Sequence, residues 1–396
     1  MIPLVDLKAQ YQLIGDEIDA AIRGCVERMD FIQGKAVREF EQNFAGFVGA
    51  EHAIGCSSGT TAIYLALAAL DLGPGDEVIL PSHTFFASVE PILQRGAVPV
   101  FADIDPHTML IDIDSVDRCI TERTKAILPV HLYGQMADME AILELAHGGD
   151  KNIAVIEDAA QAHGATQGNL RAGSAGDLAC FSFYPGKNLG AFGDAGAVTT
   201  RNADLAERLR KLSDHGRKTK YVHDVVGYNY RIDTMQAAIL NVKLKHLAQW
   251  NGQRGTRAEL YDHLLAEVPS ITTPVVAPGN HHAYHLYVVK SSDRNGLREY
   301  LRKRGIASGV HYPVPVHEQP AMQSVEWRAD DLSQTEAVAK TILSLPMYPE
   351  LRDEEVLRIA HAVRIFEDAH SPLAARTASH PLPTRAVVDD AVLPTQ

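Results

Sequence analysis

The sequence predicts an α/β protein, with a large, mostly parallel sheet covered by helices and a smaller α/β domain after it. Three observations predict it. Between residues 52 and 200, short continuous apolar runs alternate with stretches of helical period, the pattern of strands buried on both faces and joined by crossover helices. A long helical stretch follows at 233–270, and a second α/β alternation begins beyond it. The 396 residues, 46% hydrophobic and 22% charged, suffice for a large core with a companion domain.

The elements follow in order. Strands are predicted at "DEVILPS" (76–82), "VPVFADI" (98–104), "KAILPVHL" (125–132), "NIAVIED" (152–158), "LACFSF" (178–183) and "AGAVTT" (195–200). Helices are predicted at 60–70, 139–148 and 203–213, and again at 233–270, where apolar residues recur at helical spacing. The second alternation reads as a strand at 283–290, a helix at 294–305, a strand at 306–312, and helices near 334–345 and 352–366. The expected domains are therefore 1–250, opening with a helical segment, and 251–370. Residues 371–396 carry four prolines and no sustained period, so a disordered tail is expected there.

Charge and cysteine content narrow the function. The 37 basic and 50 acidic residues give a net charge of −13, which disfavours general nucleic-acid binding. Local positive groups can still hold one small anion. Cys25, Cys56, Cys119 and Cys180 show no CxxC spacing and read as free thiols. The start lacks a signal-peptide pattern, and no apolar run is long enough for a bilayer. A soluble, cytoplasmic protein without a membrane partner is expected.

Three short motifs carry candidate chemistry. In "CSSGTTA" (56–62), Ser58, Gly59 and Thr60 stand at a predicted helix start. Backbone N–H groups and a hydroxyl there can cradle a phosphate, although the same residues also simply cap helices. In "VIEDAAQAHGA" (155–165), Asp158 ends an apolar strand. Ligands of open parallel sheets bind at that end, and an Asp there is also an ordinary helix cap. In "FSFYPGKNLGAFGDAGAV" (181–198), Lys187 follows an apolar strand and a Pro-Gly turn, with glycines at 190, 193 and 196. A shielded lysine loses its proton readily and can condense with a carbonyl. The glycines permit close backbone approach or unusual dihedrals.

Together the three match the needs of pyridoxal 5'-phosphate. Its phosphate requires N–H donors, its ring nitrogen a carboxylate and its aldehyde a lysine. Lys187 lies 29 residues beyond Asp158, in consistent chain order with the cradle.

The chain resembles the pyridoxal-phosphate sugar aminotransferases of the DegT/DnrJ/EryC1/StrS family, which have the aspartate aminotransferase-like fold (PLP fold type I). The resemblance spans roughly residues 1–368 and rests on the three motifs together with "PSHTFFAS", "VHLYGQMADM", "DHGR", "GYNYRIDTMQAAIL", "GVHYPVP" and "LSLPMYP". It implies that Lys187 binds the cofactor aldehyde and moves protons, and that Asp158 pairs with the ring nitrogen. Gln161 would reach the ring hydroxyl, and Phe85 would lie on the ring face. Gly59, Thr60 and Ser182 would bind the phosphate. Asn229 would reach the phosphate of a neighbouring subunit, which implies a homodimer with shared sites. Tyr184, Arg217, His311 and Tyr312 are candidates for the sugar-nucleotide side. Read without the resemblance, Asn229 is a helix cap and Arg231 an ion-pair partner.

The implied reaction transfers an amino group from L-glutamate to a nucleotide-linked keto-sugar. The lysine loop and "GVHYPVP" resemble the C-3 group, which acts on dTDP- or UDP-3-keto-sugars. A C-4 aminotransferase and a non-enzymatic cofactor-binding regulator remain as alternatives. A related dehydratase would have histidine at the position of Lys187. A nicotinamide dehydrogenase would want G-x-G-x-x-G after its first strand, and the sequence lacks that arrangement. His281 and His285 lack an obvious third ligand, so no metal is expected; they read as structural or surface histidines.

Overall fold

The structure is a computed structural model and describes residues 1–149 and 152–370. The expectation for 371–396 lies outside the described residues.

An eight-stranded sheet organises the first part of the chain. Its strands are β1 (His52–Cys56), β2 (Glu77–Pro81), β3 (Val98–Ala102), β4 (Thr124–Ile127), β5 (Ala154–Asp158), β8 (Leu178–Ser182), β9 (Gly196–Thr200) and β15 (Arg328–Ala329). The order is β1-β9-β8-β5-β4-β2-β3-β15. β9 is antiparallel to both neighbours, and every other pair is parallel. The register of the central pair runs from Glu77 opposite Val98 to Pro81 opposite Ala102.

Side-chain alternation gives the sheet two apolar faces. On one, Val155, Phe181 and Phe183 meet helices α1 (Leu7–Arg28), α2 (Lys35–Val48), α5 (Ile113–Cys119), α6 (Met139–His147) and α8 (Thr234–Leu244). On the other, Ile156 and Cys180 meet α3 (Gly59–Ala69), α4 (Glu90–Gln94) and α7 (Ala203–Ser213). Phe44 of α2 packs edge-on against Phe181 at 4.9 Å and Phe183 at 5.1 Å. Each such ring contributes about 1.5–3 kcal/mol of burial. Ser182, between the two phenylalanines, therefore points the opposite way, toward α3.

A second core forms around the antiparallel sheet β12-β14-β16, made of Ile271–Thr272, Tyr287–Ser291 and Ile342–Leu345. It is enclosed by α9 (Leu247–Leu265), α10 (Arg294–Lys303) and α12 (Asp353–His370), with Tyr261 stacked on Tyr287 at 4.7 Å. α11 (Ser333–Thr341) leads directly into β16. The chain start belongs to this core: Ile2 is buried in it and bridges Ile306. Short strands complete the molecule, as the trio β13-β6-β7 (Asn280–His281, Thr166–Gln167, Leu170–Arg171) and the hairpin β10-β11 (Arg217–Thr219, Val222–His223).

Several predicted elements differ in extent. The helix expected over 233–270 is two helices, because Lys245 and His246 donate to carbonyls three residues back and tighten the turn between them. The strand expected at 283–290 begins only at Tyr287; Ala283 and Leu286 instead bond to Gly134 and Tyr133. The stretch 306–312 is not a strand, since its backbone divides between Ile2 and Ser344. The helix expected to 345 stops at Thr341, and Ile342–Leu345 pairs with β14.

Candidate active site

The carboxyl ends of β1, β2, β4, β5 and β8 converge on a cavity of about 570 Å³, where parallel sheets bind ligands. Gly59, Thr60, Phe85, Asp158, Gln161, Ser182, Tyr184, Lys187, His311 and Tyr312 all line it. The three motifs, distant in sequence, thus meet in space.

At the start of α3, Ser58 accepts from Thr61 N (3.1 Å) while Thr61 Oγ1 accepts from Ser58 N (2.9 Å). This capping box leaves the Gly59 and Thr60 amides, which have no acceptor within their own helix. A Cβ on Gly59 would lie 2.7 Å from Ser182 Cβ, so only glycine lets α3 approach β8 this closely. The helix start and the Ser182 side chain are thereby held together at one end of the cavity. The capping and phosphate-cradle readings are compatible here: Ser58 and Thr61 cap, while Gly59 and Thr60 face the cavity.

Asp158 is buried at the end of β5. Its Oδ2 accepts from Ser88 Oγ at 2.7 Å and its Oδ1 from Ala160 N at 3.1 Å. Thr84 Oγ1 lies 2.9 Å from Ser88 Oγ, extending the network. The adjacent Glu157 points to the opposite face, where the amides of Gly173, Ala175 and Gly176 satisfy it. Gln161 Oε1 accepts from Tyr133 N at 2.7 Å, and its Nε2 donates to Tyr312 OH at 3.2 Å. Phe85 is 55% exposed at the mouth and lies 5.4 Å from the Tyr312 ring.

Lys187 sits in the turn after β8, with its N–H bonded to Tyr184 O. Enclosure by protein lowers its pKa to about 8, while Asp158 acts in the opposite sense. Its amine has no hydrogen-bond partner among the described residues. The glycines of this loop act through close approach alone. A Cβ would come within 2.3 Å of Pro185 O at Gly190 and of Ser58 O at Gly196. At Gly193 the nearest atom, Gln236 Nε2, is 3.3 Å away. None of the three has positive φ, so the unusual dihedrals expected of this loop are absent.

Arg217 and Asn229 do not line this cavity. Arg217 faces Asp214 at 3.7 Å, and Asn229 is exposed, bridging Asp214 through its backbone. Arg231 pairs with Asp214 at 2.7 Å. The cavity also contains residues that sequence reasoning missed: Leu4, Val5, Thr84, Ser88, Asp194 and His285. Of the two histidines read as structural or surface residues, His285 is buried in the cavity wall and His281 is exposed. A separate group, His317, Glu318 and Glu336, has donor atoms within 4.8 Å of one another and lies outside it.

Comparison with known proteins places the chain in a family. The profile of the DegT/DnrJ/EryC1/StrS aminotransferase family matches residues 12–364. A dTDP-3-amino-3,4,6-trideoxy-alpha-D-glucose transaminase of Streptomyces venezuelae is 46% identical over 92% of this chain and 95% of its own length. A protein of Geobacillus stearothermophilus described as a pleiotropic regulatory protein is 45% identical over 92% of this chain and 98% of its own. Among solved structures, that of S. venezuelae DesV with a ketimine intermediate superposes with a TM-score of 0.89. It is 45% identical and covers 93% of this chain and 98% of that one.

Proposed function

The chain belongs to the DegT/DnrJ/EryC1/StrS aminotransferase family, and from that premise we propose that it is a pyridoxal-phosphate aminotransferase acting on a nucleotide-linked keto-sugar at C-3. L-Glutamate is the proposed amino donor. The observation that carries this reading is the convergence of Lys187, Asp158 and the free amides of α3 on one cavity. The C-3 assignment is supported by the S. venezuelae transaminase, which is named for a 3-amino sugar.

The residues present fit the cofactor. Gly59 lacks the Cβ that would strike Ser182, so the Gly59 and Thr60 amides and the Ser182 hydroxyl can serve its phosphate together. Asp158 is fixed by two donors and would hold the ring nitrogen in its protonated form. Gln161 would meet the ring hydroxyl, and Phe85 would cover a ring face. When bound, the cofactor supplies an electron sink for the carbon that loses its proton.

The chain's own residues do the remainder. Lys187, its pKa lowered by burial to about 8, gives up its proton more readily than an exposed lysine and can carry a proton between two carbons as base and then acid. Tyr184, His311 and Tyr312 line the cavity on the proposed sugar side. His311 stays neutral there, because burial and then the charge of Lys187 lower its pKa to about 4.

We further propose a homodimer with shared sites. Lys187 is the only lysine or arginine lining the cavity among the described residues, whereas glutamate, a nucleotide diphosphate and the cofactor phosphate are all anionic. The segment carrying Arg217 and Asn229 leaves Tyr221 81% and Val226 88% exposed. A second copy could cover these residues and bring Asn229 and Arg217 to its neighbour's cavity. Mixing inactive Lys187→Ala and Asn229→Ala chains tests this. Sites that combine intact residues from both chains would regain activity, whereas self-contained sites would regain none.

The regulatory name of the G. stearothermophilus relative supports a second reading, a cofactor-binding sensor without turnover. Steady turnover of L-glutamate with a nucleotide-linked 3-keto-sugar decides for the enzyme, and stable cofactor binding without turnover decides for the sensor.

A further inference from the structure

The wall of the cavity contains a histidine whose tautomer is fixed by its neighbours. Asn188, next to Lys187, donates through Nδ2 to Ala283 O (2.8 Å) and Asn251 Oδ1 (2.9 Å). Asn251 Nδ2 donates in turn to His163 O (2.7 Å). Both amides are thus anchored on backbone carbonyls, which can only accept. This leaves Asn188 Oδ1 as the acceptor facing His285 Nδ1 at 3.3 Å. Nδ1 must carry the proton, and Nε2 is an unprotonated acceptor.

His285 Nε2 has no partner among the described residues, and the ring lines the same cavity as Lys187, whose amine also has none. We propose that His285 is a positioning residue for Lys187: its Nε2 accepts a hydrogen bond from the lysine amine whenever that amine is free. The inference rests on Lys187 being the proton carrier proposed above. The bond would keep the amine inside the cavity between its two proton transfers and favour its ammonium form.

The groups around His285 suit this part. Burial first, and then the charges of Lys187 and Arg254, with His311 and His163 also packed close by, hold its pKa well below the usual histidine value. It therefore does not compete for the proton. Arg254, through Tyr284 O and Met347 O, fastens the backbone beside it to the second core.

Two substitutions separate positioning from packing. His285→Asn can keep a donor toward Asn188 and removes the cavity-facing acceptor. His285→Gln can keep an acceptor near Nε2 and removes the donor. The readout is the pKa of Lys187, from the pH dependence of its labelling by trinitrobenzenesulfonate, located by peptide mass analysis. It is made on enzyme treated with L-glutamate, which frees the lysine. Removing an acceptor from a charged donor predicts a fall of about one pH unit in His285→Asn, with His285→Gln near wild type. An unchanged Lys187 pKa in His285→Asn, or a fall only in His285→Gln, overturns the proposal. Should glutamate leave the absorption spectrum unchanged, the functional reading fails separately. Labelling of Lys187 in chains freed of any cofactor then still measures the pair.

Discussion

Gly59 links the fold to the proposed cofactor site, and replacing it with alanine has a calculable consequence. The new methyl would stand 2.7 Å from Ser182 Cβ and 3.3 Å from both Ser182 Cα and Oγ. Carbon atoms in contact settle at about 3.5–4.0 Å, so α3 and β8 must separate by roughly 1 Å. Ser182 cannot yield alone, because Phe181 and Phe183 on either side are fully buried. Overpacking of this kind costs about 1–3 kcal/mol. The same shift would misalign at least one donor to the phosphate, and a hydrogen bond to a charged group contributes about 1.5–3 kcal/mol. Cofactor affinity should then fall about 10- to 100-fold. Pyridoxal phosphate titrated into cofactor-free protein, followed by absorbance, measures this. Gly46→Ala is the control, since a Cβ there meets nothing within 4 Å. A folded Gly59→Ala chain with wild-type affinity would refute the cradle.

Other expectations follow from the same geometry. Lys187→Ala should abolish turnover while leaving the melting temperature within a few degrees of wild type, and normal turnover would remove the lysine from the mechanism. Ser88→Ala deletes one of the two donors to Asp158 and should lower kcat about tenfold, at about 1–2 kcal/mol per bond, with little change in KM; an unchanged kcat would show that Asp158 needs no such support. His163 packs on Phe181 and Phe183, and its ring nitrogens have no partners among the described residues. Burial, then the charge of Lys187, lowers its pKa to about 3. Between about 6.5, the unfolded value, and that pKa, only the unfolded chain binds the proton, so stability falls as pH falls. His163→Phe should remove this dependence and gain on wild type by about 1.4 kcal/mol per pH unit from 6 to 4. Denaturant unfolding at several pH values would show it, and parallel curves for the two proteins would contradict it.

The sequence revealed the large sheet because its strands are buried on both faces and read as unbroken apolar runs. "LACFSF" could be recognised as a strand without knowing that Phe181 and Ser182 face opposite ways. Lys187, Asp158 and Gly59 were legible because each stands at the end of a strand or the start of a helix, where chemistry and local structure coincide. Ser88 was not, because its value lies in a bond to a residue 70 positions away. His285 was hidden for a related reason: the apolar run around it reads as a strand from residue 283, whereas pairing begins at Tyr287 and the preceding turn faces the cavity. The strand Ile342–Leu345 follows a helix without a break and shares its apolar character, so only its partner β14 distinguishes it.

The most direct test of the central claim is the visible absorption spectrum of the purified protein, before and after addition of L-glutamate. The proposed function predicts a band from the lysine-bound cofactor that glutamate converts into that of the aminated cofactor. A bound cofactor that ignores glutamate would contradict the donor assignment. The absence of any such band after addition of pyridoxal phosphate would contradict the role of Lys187 itself.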